Sequence, residues 1–324
     1  MIIIPKSSVY EEALKDNMMD STFSYRVIDL YGRKIILTEG QTPSSLPMDS
    51  DTALLVNGNL YSKEFKQEKT VVQVDNVSIG EKKLIVAAGP CAVESEGQVM
   101  ETAEAVKKMG ADMLRGGAFK PRTSPYSFQG LGPKGIQLLM KAREETGLPV
   151  VSELLDISDF SAFRNNVDMI QVGARNAQNF TLLKFLGQLK TPVLLKNGLA
   201  TTMNEWLGSS EYILSGGNEN VVMCYRGNRS FENYTRFNMD IGSIASLKNL
   251  THLPICADPS HPAGRRELVE SLALGAVASG ADMLEVEVHR DPDNALSDSS
   301  QQLTLEMFNR LMKNVRKVEE IVRG

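Results

Sequence analysis

From Lys83 to the C-terminus, short apolar runs alternate with longer segments that have helical spacing. The eight runs are KLIVAAGP (83–90), ADMLRGG (111–117), PVVSEL (149–154), DMIQVGA (168–174), PVLLKNG (192–198), VVMCYRG (221–227), PICADPSH (254–261) and MLEVEVH (283–289). Their apolar residues are continuous, which is typical of parallel strands covered on both faces. Val99, Ala103 and Val106 mark helical spacing in the first intervening segment. Eight such units in about 240 residues predict a (β/α)8 TIM barrel, an α/β fold.

The first 66 residues break this alternation. MIIIP, FSYRVIDL and GRKIILTE look like strands, and the last two meet at Tyr31-Gly32, which predicts a hairpin. VYEEALKDNM predicts one helix, whereas TPSSLPMDSD, within residues 41–52, allows no assignment. We expect a small α+β module at 1–66, with a ferredoxin-like fold as one candidate, and a catalytic barrel at 67–324. TVVQVDNVSIGEK then predicts a hairpin that closes the barrel's N-terminal end.

Composition and charge narrow the functional class. The net charge is −5, which argues against nucleic acid or an acidic membrane as the main partner. No apolar run approaches the ~18 residues of a membrane span, and the N-terminus lacks the basic start of a signal peptide. The three cysteines match no zinc-finger template. These features predict a cytoplasmic protein that does not act on nucleic acid or membrane.

Cations collect where the carboxyl ends of the predicted strands meet, and a barrel of this type carries its chemistry on that face. One loop there, RGGAFKPRTSPYSFQGLG (115–132), is too rich in turn formers to be a helix or strand. The loop could be merely solvated, and one or two of the six cations at these strand ends are expected to pair with barrel carboxylates. A ring of six cations nevertheless suits more than one phosphate or carboxylate. The six are Arg115, Lys120, Arg122, Arg175, Lys196 and Arg226, and the candidate partner carboxylates are Glu153 and Asp258.

A second set of residues at the predicted strand ends has the chemistry of metal ligands. It consists of Cys91, His261, Glu287 and Asp298, with His289 beside it. Each residue has an ordinary interpretation alone, since a single buried cysteine is usually a small hydrophobe. Glu287, however, sits in an apolar run, where an unpaired carboxylate is costly to bury. The mixed sulfur, nitrogen and oxygen set suits a borderline transition metal and does not choose among Mn, Fe, Co, Zn and Cu.

Longer motifs carry a family resemblance. They are GPCAVES (89–95), RGGAFKPRTSPYSFQGLG (115–132), QVGARNAQN (171–179), LLKNG (194–198), CYRG (224–227), DPSHPAGRR (258–266), EVEVH (285–289) and ALSDSSQQL (295–303). Over the whole barrel, these motifs resemble the 3-deoxy-D-arabino-heptulosonate 7-phosphate (DAHP) synthases, and most closely their type Iβ branch. The resemblance implies condensation of phosphoenolpyruvate with D-erythrose 4-phosphate and water, which gives DAHP and inorganic phosphate. That reaction is the first step of the shikimate pathway to aromatic amino acids.

The resemblance also implies roles for individual residues. One divalent metal (Mn2+, Fe2+, Co2+, Zn2+ or similar) would be held by Cys91, His261, Glu287 and Asp298, in agreement with the strand-end interpretation. Phosphoenolpyruvate would be held by Arg115, Lys120, Arg175, Lys196 and Arg226, with Glu153, Ala174 and Asp258 also at the substrate site. The phosphate of erythrose 4-phosphate would be bound by Arg122, Thr123 and Ser124. Lys120, counted as catalytic with Cys91 and His261, is the candidate proton donor, and its cationic neighbours are expected to lower its pKa.

Several type Iβ enzymes carry an N-terminal ferredoxin-like module that binds an aromatic amino acid and closes over the barrel mouth. Residues 1–66 have a suitable length, but TPSSLPMDSD does not resemble the second helix of that module. Feedback inhibition by tyrosine or phenylalanine is therefore a hypothesis for this chain. The resemblance further implies a homo-oligomer, often a tetramer.

Three other functions compete with DAHP synthesis. A 3-deoxy-D-manno-octulosonate 8-phosphate synthase shares the barrel and the phosphoenolpyruvate site, but typically carries KANRS where this chain has KPRT (120–123). That difference favours erythrose 4-phosphate over arabinose 5-phosphate. A metal-dependent aldolase or sialic-acid-type synthase fits the metal ligands but not the long ordered motifs. A non-catalytic metabolite sensor would be expected to lack a metal ligand or Lys120, and all of these are present.

Overall fold

A computed structural model describes residues 2–7, 12, 24–38, 53–56 and 58–324 of the chain. It contains a four-stranded antiparallel sheet near the N-terminus, a two-stranded hairpin and a closed eight-stranded barrel. The predicted helix at 9–18, apart from residue 12, and the unassigned stretch at 42–51 lie outside the described residues.

The N-terminal sheet has the strand order β2-β3-β1-β4, and all of its pairs are antiparallel. This is the order that a β-α-β-β-α-β ferredoxin-like chain gives. The predicted hairpin is confirmed, because Tyr31 and Gly32 both have the positive φ (52° and 72°) of a tight two-residue turn. The sequence analysis did not predict β4. The strands are β1 (Ile2–Pro5), β2 (Tyr25–Leu30), β3 (Arg33–Thr38) and β4 (Ala53–Val56).

A short hairpin precedes the barrel and fills its N-terminal end. Its strands are β5 (Val72–Val74) and β6 (Val77–Ile79), paired antiparallel. Val72 and Ile79 are fully buried in one apolar cluster with inward-facing barrel residues such as Met113 and Leu194. The predicted closing hairpin is therefore confirmed, and we call it the plug hairpin.

All eight predicted runs form parallel strands of one closed barrel, so the (β/α)8 prediction is confirmed. Helices and loops cover the outer face of the ring and the plug hairpin covers part of the inner face, which explains why the strands are apolar along their length. The ring closes where the first strand pairs with the last. The strands are β7 (Ile85–Gly89), β8 (Met113–Arg115), β9 (Val150–Glu153), β10 (Met169–Val172), β11 (Val193–Lys196), β12 (Val221–Tyr225), β13 (Ile255–Ala257) and β14 (Met283–Glu287).

Several helices between the strands begin at residues whose side chains cap the helix N-terminus. Ser95 caps the first of them by accepting from Gln98 N, and Thr202 with Glu205 forms a capping box at the fifth. None of the described helices is long and apolar enough to cross a membrane. The helices are α1 (Glu96–Lys108), α2 (Pro133–Thr146), α3 (Phe160–Phe163), α4 (Phe180–Gly187), α5 (Met203–Leu214), α6 (Ile241–Leu250), α7 (Ser260–Ala263), α8 (Arg266–Ala278) and α9 (Leu305–Arg323).

The N-terminal sheet contacts the barrel on the side of the strand starts. At the β2–β3 turn, Tyr31 packs edge-on against the ring of His252 at 5.5 Å and bonds to Glu219. Glu219 and His252 lie just before β12 and β13, which places this contact at the N-terminal end of the barrel. The module of several type Iβ enzymes closes over the barrel mouth. Within the described residues, the contact made by Tyr31 lies instead at the opposite end of the barrel.

Candidate functional site

The barrel interior changes from apolar to charged along the strand direction. Met113 and Leu194 pack with the plug hairpin, and two residues further on the same strands are Arg115 and Lys196. Alternate residues of a strand face the same side, so these two cations also point inward, where both are buried. The two-residue repeat of the strands therefore places these two cations directly above the apolar plug hairpin.

A cavity of about 450 Å³ opens at the carboxyl ends of the strands. Most of the predicted site residues line it: Arg115, Lys120, Arg122, Thr123, Ser124, Glu153, Ala174, Arg175, Lys196, Arg226, His261 and Asp298. Cys91, Asp258 and Glu287 do not line the cavity, but are buried in contact with residues that do. The structure therefore brings every predicted site residue to one place.

The four predicted metal ligands converge at one side of this cavity. One sulfur and two carboxylate oxygens, from Cys91, Glu287 and Asp298, lie within 4.8 Å of one another. His261 lies beside this group of three, with its Nε2 3.8 Å from Glu287 Oε1 and 4.0 Å from Asp298 Oδ2. Asp298 has a left-handed backbone (φ 46°), which an aspartate tolerates better than most residues. The arrangement offers one donor atom from each of four side chains.

The charges around this cluster shift two pKa values in opposite directions. Burial and the carboxylates of Glu287 and Asp298 raise the pKa of the Cys91 thiol, Lys120 and Arg115 lower it, and the net result is a pKa of about 12. Burial also raises the pKa of Asp298, but His261, Arg236 and Lys120 lower it more, so that it reaches about 2. At neutral pH, the carboxylate of Asp298 is therefore ionised beside the neutral thiol of Cys91.

A continuous row of buried charges links the cationic side of the cavity to the ligand cluster. Arg115 Nε is 3.2 Å from one oxygen of Glu285, whose other oxygen is 2.8 Å from Lys196 Nζ. Lys196 Nζ is 2.7 Å from Asp258 Oδ2, and that oxygen is 2.6 Å from His261 Nδ1. The expectation that one or two of the six cations pair with barrel carboxylates is therefore confirmed for Arg115 and Lys196. Their partners include Asp258 as predicted, but also Glu285 and Glu287.

The other four cations, Lys120, Arg122, Arg175 and Arg226, have no ion pair in the described ranges. Arg226 is the most distinctive, since its side chain is buried and its Nη1 has no hydrogen-bond partner. The guanidinium lies 3.8 Å above the ring of Phe237, and burial lowers its pKa to about 10. A buried guanidinium with an unused donor beside a cavity is prepared for an anionic ligand.

Lys120 reaches from its loop into the ligand cluster. Its Nζ donates to the backbone oxygen of Cys91 at 2.9 Å and lies 3.2 Å from Cys91 Sγ. Gly117 makes this path possible, because a Cβ there would lie 2.6 Å from Cys91 O and 2.7 Å from Lys120 Cδ. The predicted lowering of the Lys120 pKa is wrong. Burial and Arg115 do lower it, but Cys91, Glu153 and Glu287 raise it more, and the net shift is upward.

Glu153 and His289 contribute differently from one another. Glu153 lines the cavity and accepts from Gln171 Nε2 at 3.3 Å; Gly173 lets it approach, because a Cβ there would overlap the carboxylate. His289 is buried away from the ligand cluster, with its Nε2 3.5 Å from Glu94 and its Nδ1 accepting from Asp291 N. His289 is therefore part of the wall behind the site.

Sequence reasoning missed several residues of the site. They are Glu285 in the row of charges, Arg229 and Arg236 on the loop after β12, and Ser297 and Gln301 beside Asp298. Only Glu285 had a usable signal. It precedes Glu287 by two positions in an apolar run, and that spacing places both carboxylates on the same inner face. The other four depend on loop conformation.

A family model described as the DAHP synthetase I family matches residues 64–323. A phospho-2-dehydro-3-deoxyheptonate aldolase of Thermotoga maritima is 45% identical over 273 residues, which cover 84% of this chain and 81% of the relative. A 2-dehydro-3-deoxyphosphooctonate aldolase of Syntrophotalea carbinolica is 30% identical over 263 residues, which cover 76% of this chain and 94% of the relative.

Two solved structures that are similar to this chain are also DAHP synthases. A crystal structure of the DAHP synthase of Thermotoga maritima superimposes with a TM-score of 0.81 at 39% identity, and covers 99% of this chain and 97% of that one. A truncated form of the Thermotoga maritima synthase gives a TM-score of 0.76 at 42% identity, and covers 82% of this chain and 97% of that one.

Proposed function

The chain belongs to the DAHP synthetase I family, and on that premise we propose that its cationic cavity joins phosphoenolpyruvate to erythrose 4-phosphate with the help of one divalent metal. The reaction consumes water and gives DAHP and inorganic phosphate. The observation that carries the proposal is the adjacency of the four-residue ligand cluster to a cavity lined by cations, several of which have no ion pair in the described part of the chain. Two anionic substrates need that positive field to lie side by side.

The ligand cluster fits a divalent cation on its own geometry. Among the described residues, Glu287 Oε1 is buried without a hydrogen bond, and Arg115 Nη1 lies 3.5 Å from it. A cation at the centre would give that oxygen a partner, and thiolate, imidazole and carboxylate donors together suit Mn2+, Fe2+, Co2+ or Zn2+. Bound there, the metal supplies Lewis acidity toward the aldehyde oxygen of erythrose 4-phosphate.

Phosphoenolpyruvate is assigned to the cations deepest in the cavity. Arg115 and Lys196 are held in place by Glu285, and Arg226 offers its unused Nη1 donor. These groups and Arg175 grip the carboxylate and phosphate and leave C3 directed at the aldehyde carbon. Water then adds at C2, and phosphate leaves with cleavage of the C–O bond.

Erythrose 4-phosphate is assigned to the turn at 122–124. Arg122, Thr123 and Ser124 line the cavity at its outer part, and Arg175 Nη2 lies 3.5 Å from Thr123 Oγ1. The same loop carries Lys120 inward to Cys91. Lys120 is protonated at neutral pH, as a lysine with an ordinary or raised pKa is, and donates a proton to the former aldehyde oxygen as the new C–C bond forms.

The substrate assignment is tested by phosphoenolpyruvate consumption. Enzyme stripped with EDTA is expected to be inactive, and Mn2+ is expected to restore turnover with erythrose 4-phosphate but not with arabinose 5-phosphate. Turnover only with the five-carbon sugar would move the chain to octulosonate synthesis while keeping the cavity assignments. No turnover with either sugar would favour the metabolite sensor.

We further infer that the N-terminal module is regulatory, that the enzyme is a homo-oligomer, with a tetramer as the expected form, and that it works in the cytoplasm. The ferredoxin-like strand order supports an amino-acid-binding module. A truncation that tests this should end before Leu60, because the backbone amides of Leu60 and Tyr61 donate to Glu211 on α5. Deletion of residues 1–56 is expected to remove inhibition by tyrosine or phenylalanine and to leave turnover intact. Inhibition of the truncated enzyme would contradict a regulatory role.

A further inference from the structure

The loop after β14 carries a buried glutamine that touches two of the four ligand residues. Gln301 is 1% exposed. Its Nε2 donates to Glu287 Oε2 at 2.6 Å and lies 3.5 Å from Asp298 Oδ2. Its Oε1 accepts from Arg236 Nη1 at 2.8 Å. The amide orientation follows from its partners, because a guanidinium only donates and an ionised carboxylate only accepts.

These contacts divide the oxygens of each carboxylate into an outer and an inner one. In Glu287, the outer Oε2 is bonded by Gln301, and Oε1 has no hydrogen bond and lies 3.8 Å from His261 Nε2. In Asp298, the outer Oδ1 is bonded by Arg236 at 3.2 Å, and the inner Oδ2 faces Cys91 Sγ at 3.5 Å, with Gln301 Nε2 at the limit of hydrogen-bond distance, also 3.5 Å. Each carboxylate therefore presents one oxygen to the centre of the cluster.

We propose that Gln301 and Arg236 are positioning residues of the metal site. Gln301 holds the outer oxygen of Glu287 and Arg236 holds the outer oxygen of Asp298, so that each carboxylate binds the metal through its other oxygen. The inference rests on the metal site proposed above. Outer hydrogen bonds of this kind fix the orientation of metal ligands, and their loss typically weakens metal binding by about 10- to 100-fold. Gln301 needs no contact with substrate to act in this way.

Loss of the Gln301 amide would leave a buried carboxylate oxygen without its hydrogen bond. Methionine has nearly the same length as glutamine but no donor, so Gln301→Met leaves Glu287 Oε2 buried without a partner. The carboxylate is then free to turn both oxygens toward the metal, or to turn away toward Arg115, whose Nη1 is 3.5 Å from Oε1. Either movement changes the number or the position of the oxygen ligands.

Cobalt(II) is a suitable probe because its visible bands report coordination number and its charge-transfer band reports the thiolate. The metal-free protein would be titrated with Co2+ against a competing chelator, for the wild type, Gln301→Met and Arg236→Met. Asn218→Leu is the matched control, since it removes a buried amide at the far end of the barrel, whose Nδ2 donates to Leu186 O and Thr191 O and whose Oδ1 accepts from Asn220 N. Cys91→Ser tests the metal site itself.

Gln301→Met is expected to raise the Kd for Co2+ by about 10- to 100-fold and to change the visible bands, while Asn218→Leu changes neither. A folded Gln301→Met protein with the wild-type Kd and spectrum would overturn the inference. Should that variant fail to fold, Arg236→Met decides the question, because its side chain is 40% exposed; unchanged Kd and bands would then count against the proposal. Equal Co2+ binding by wild type and Cys91→Ser would instead reject the metal site.

Discussion

Replacement of Lys120 by methionine is expected to lower kcat by about 10²- to 10⁴-fold, the usual contribution of a positioned general acid. The side chain reaches the ligand cluster, with Nζ 3.2 Å from Cys91 Sγ, and methionine fills the same volume without a proton to give. Steady-state kinetics with both substrates measures the effect. Lys120 also lies beside the cationic side chains assigned to phosphoenolpyruvate, so the KM for phosphoenolpyruvate is expected to rise as well.

Lys120→Arg separates the two roles. A guanidinium keeps the positive charge, but holds its proton too firmly to act as an acid near neutral pH. We expect Lys120→Arg to lose kcat as Lys120→Met does, while keeping more of the affinity for phosphoenolpyruvate. Lys134→Met, at an exposed position at the start of α2, is the control and should be silent. A Lys120→Met enzyme with most of the wild-type kcat would refute the proton-donor role.

Replacement of Glu285 by glutamine is expected to reduce the free energy of unfolding by about 3 kcal/mol. That is the lower end of the range for removing one partner of a buried ion pair, because Arg115 and Lys196 each keep a second carboxylate. Phosphoenolpyruvate should recover part of the loss, since its anionic groups neutralise the same cations and ligand binding stabilises the folded state. Denaturant unfolding with and without phosphoenolpyruvate measures both effects.

The pH dependence of this loss has a defined sign. Burial raises the pKa of Glu285, but Lys196 and Arg115 lower it more, so that the folded protein holds it below its ordinary 4.5. Its charge therefore stabilises the fold fully above pH 4.5, and this contribution is lost as the pH falls through the lowered pKa. The stability gap between wild type and Glu285→Gln should narrow over that range. Glu101→Gln, which removes an exposed partner of Arg290, is the control and should show no measurable gap; an equal loss there would contradict the burial argument.

The barrel could be predicted from the sequence because its signals are local. A parallel strand covered on both faces is apolar along its length, and each of the eight runs became such a strand. The ligand cluster was also accessible, because the barrel topology brings strand ends together and a carboxylate in an apolar run needs a partner. Strand β4 was missed, since ALLV (53–56) is the whole of its signal and lies beside an unassigned stretch.

The electrostatics were less accessible because they depend on distances across the barrel. Counting cations near Lys120 predicted a lowered pKa, whereas the fold also places Cys91, Glu153 and Glu287 close enough to reverse the net shift. Arg236 comes near the site only because its loop folds back against Asp298, whose left-handed backbone is itself a tertiary feature. Residue types alone do not contain that geometry.

The proposed metal ligands lie on both sides of the seam at which the barrel closes, and this position links the site to folding. Cys91 follows β7 and Glu287 ends β14, and these first and last strands pair with Glu287 opposite Gly89. Bringing them together closes a loop that contains nearly the whole barrel, which makes this step entropically costly and places it late in folding. The proposed metal joins both sides of the seam and adds its binding free energy to closure. A nascent chain that has not placed its last strand therefore has no complete ligand cluster, and uptake of the proposed metal is expected only once the ring is complete.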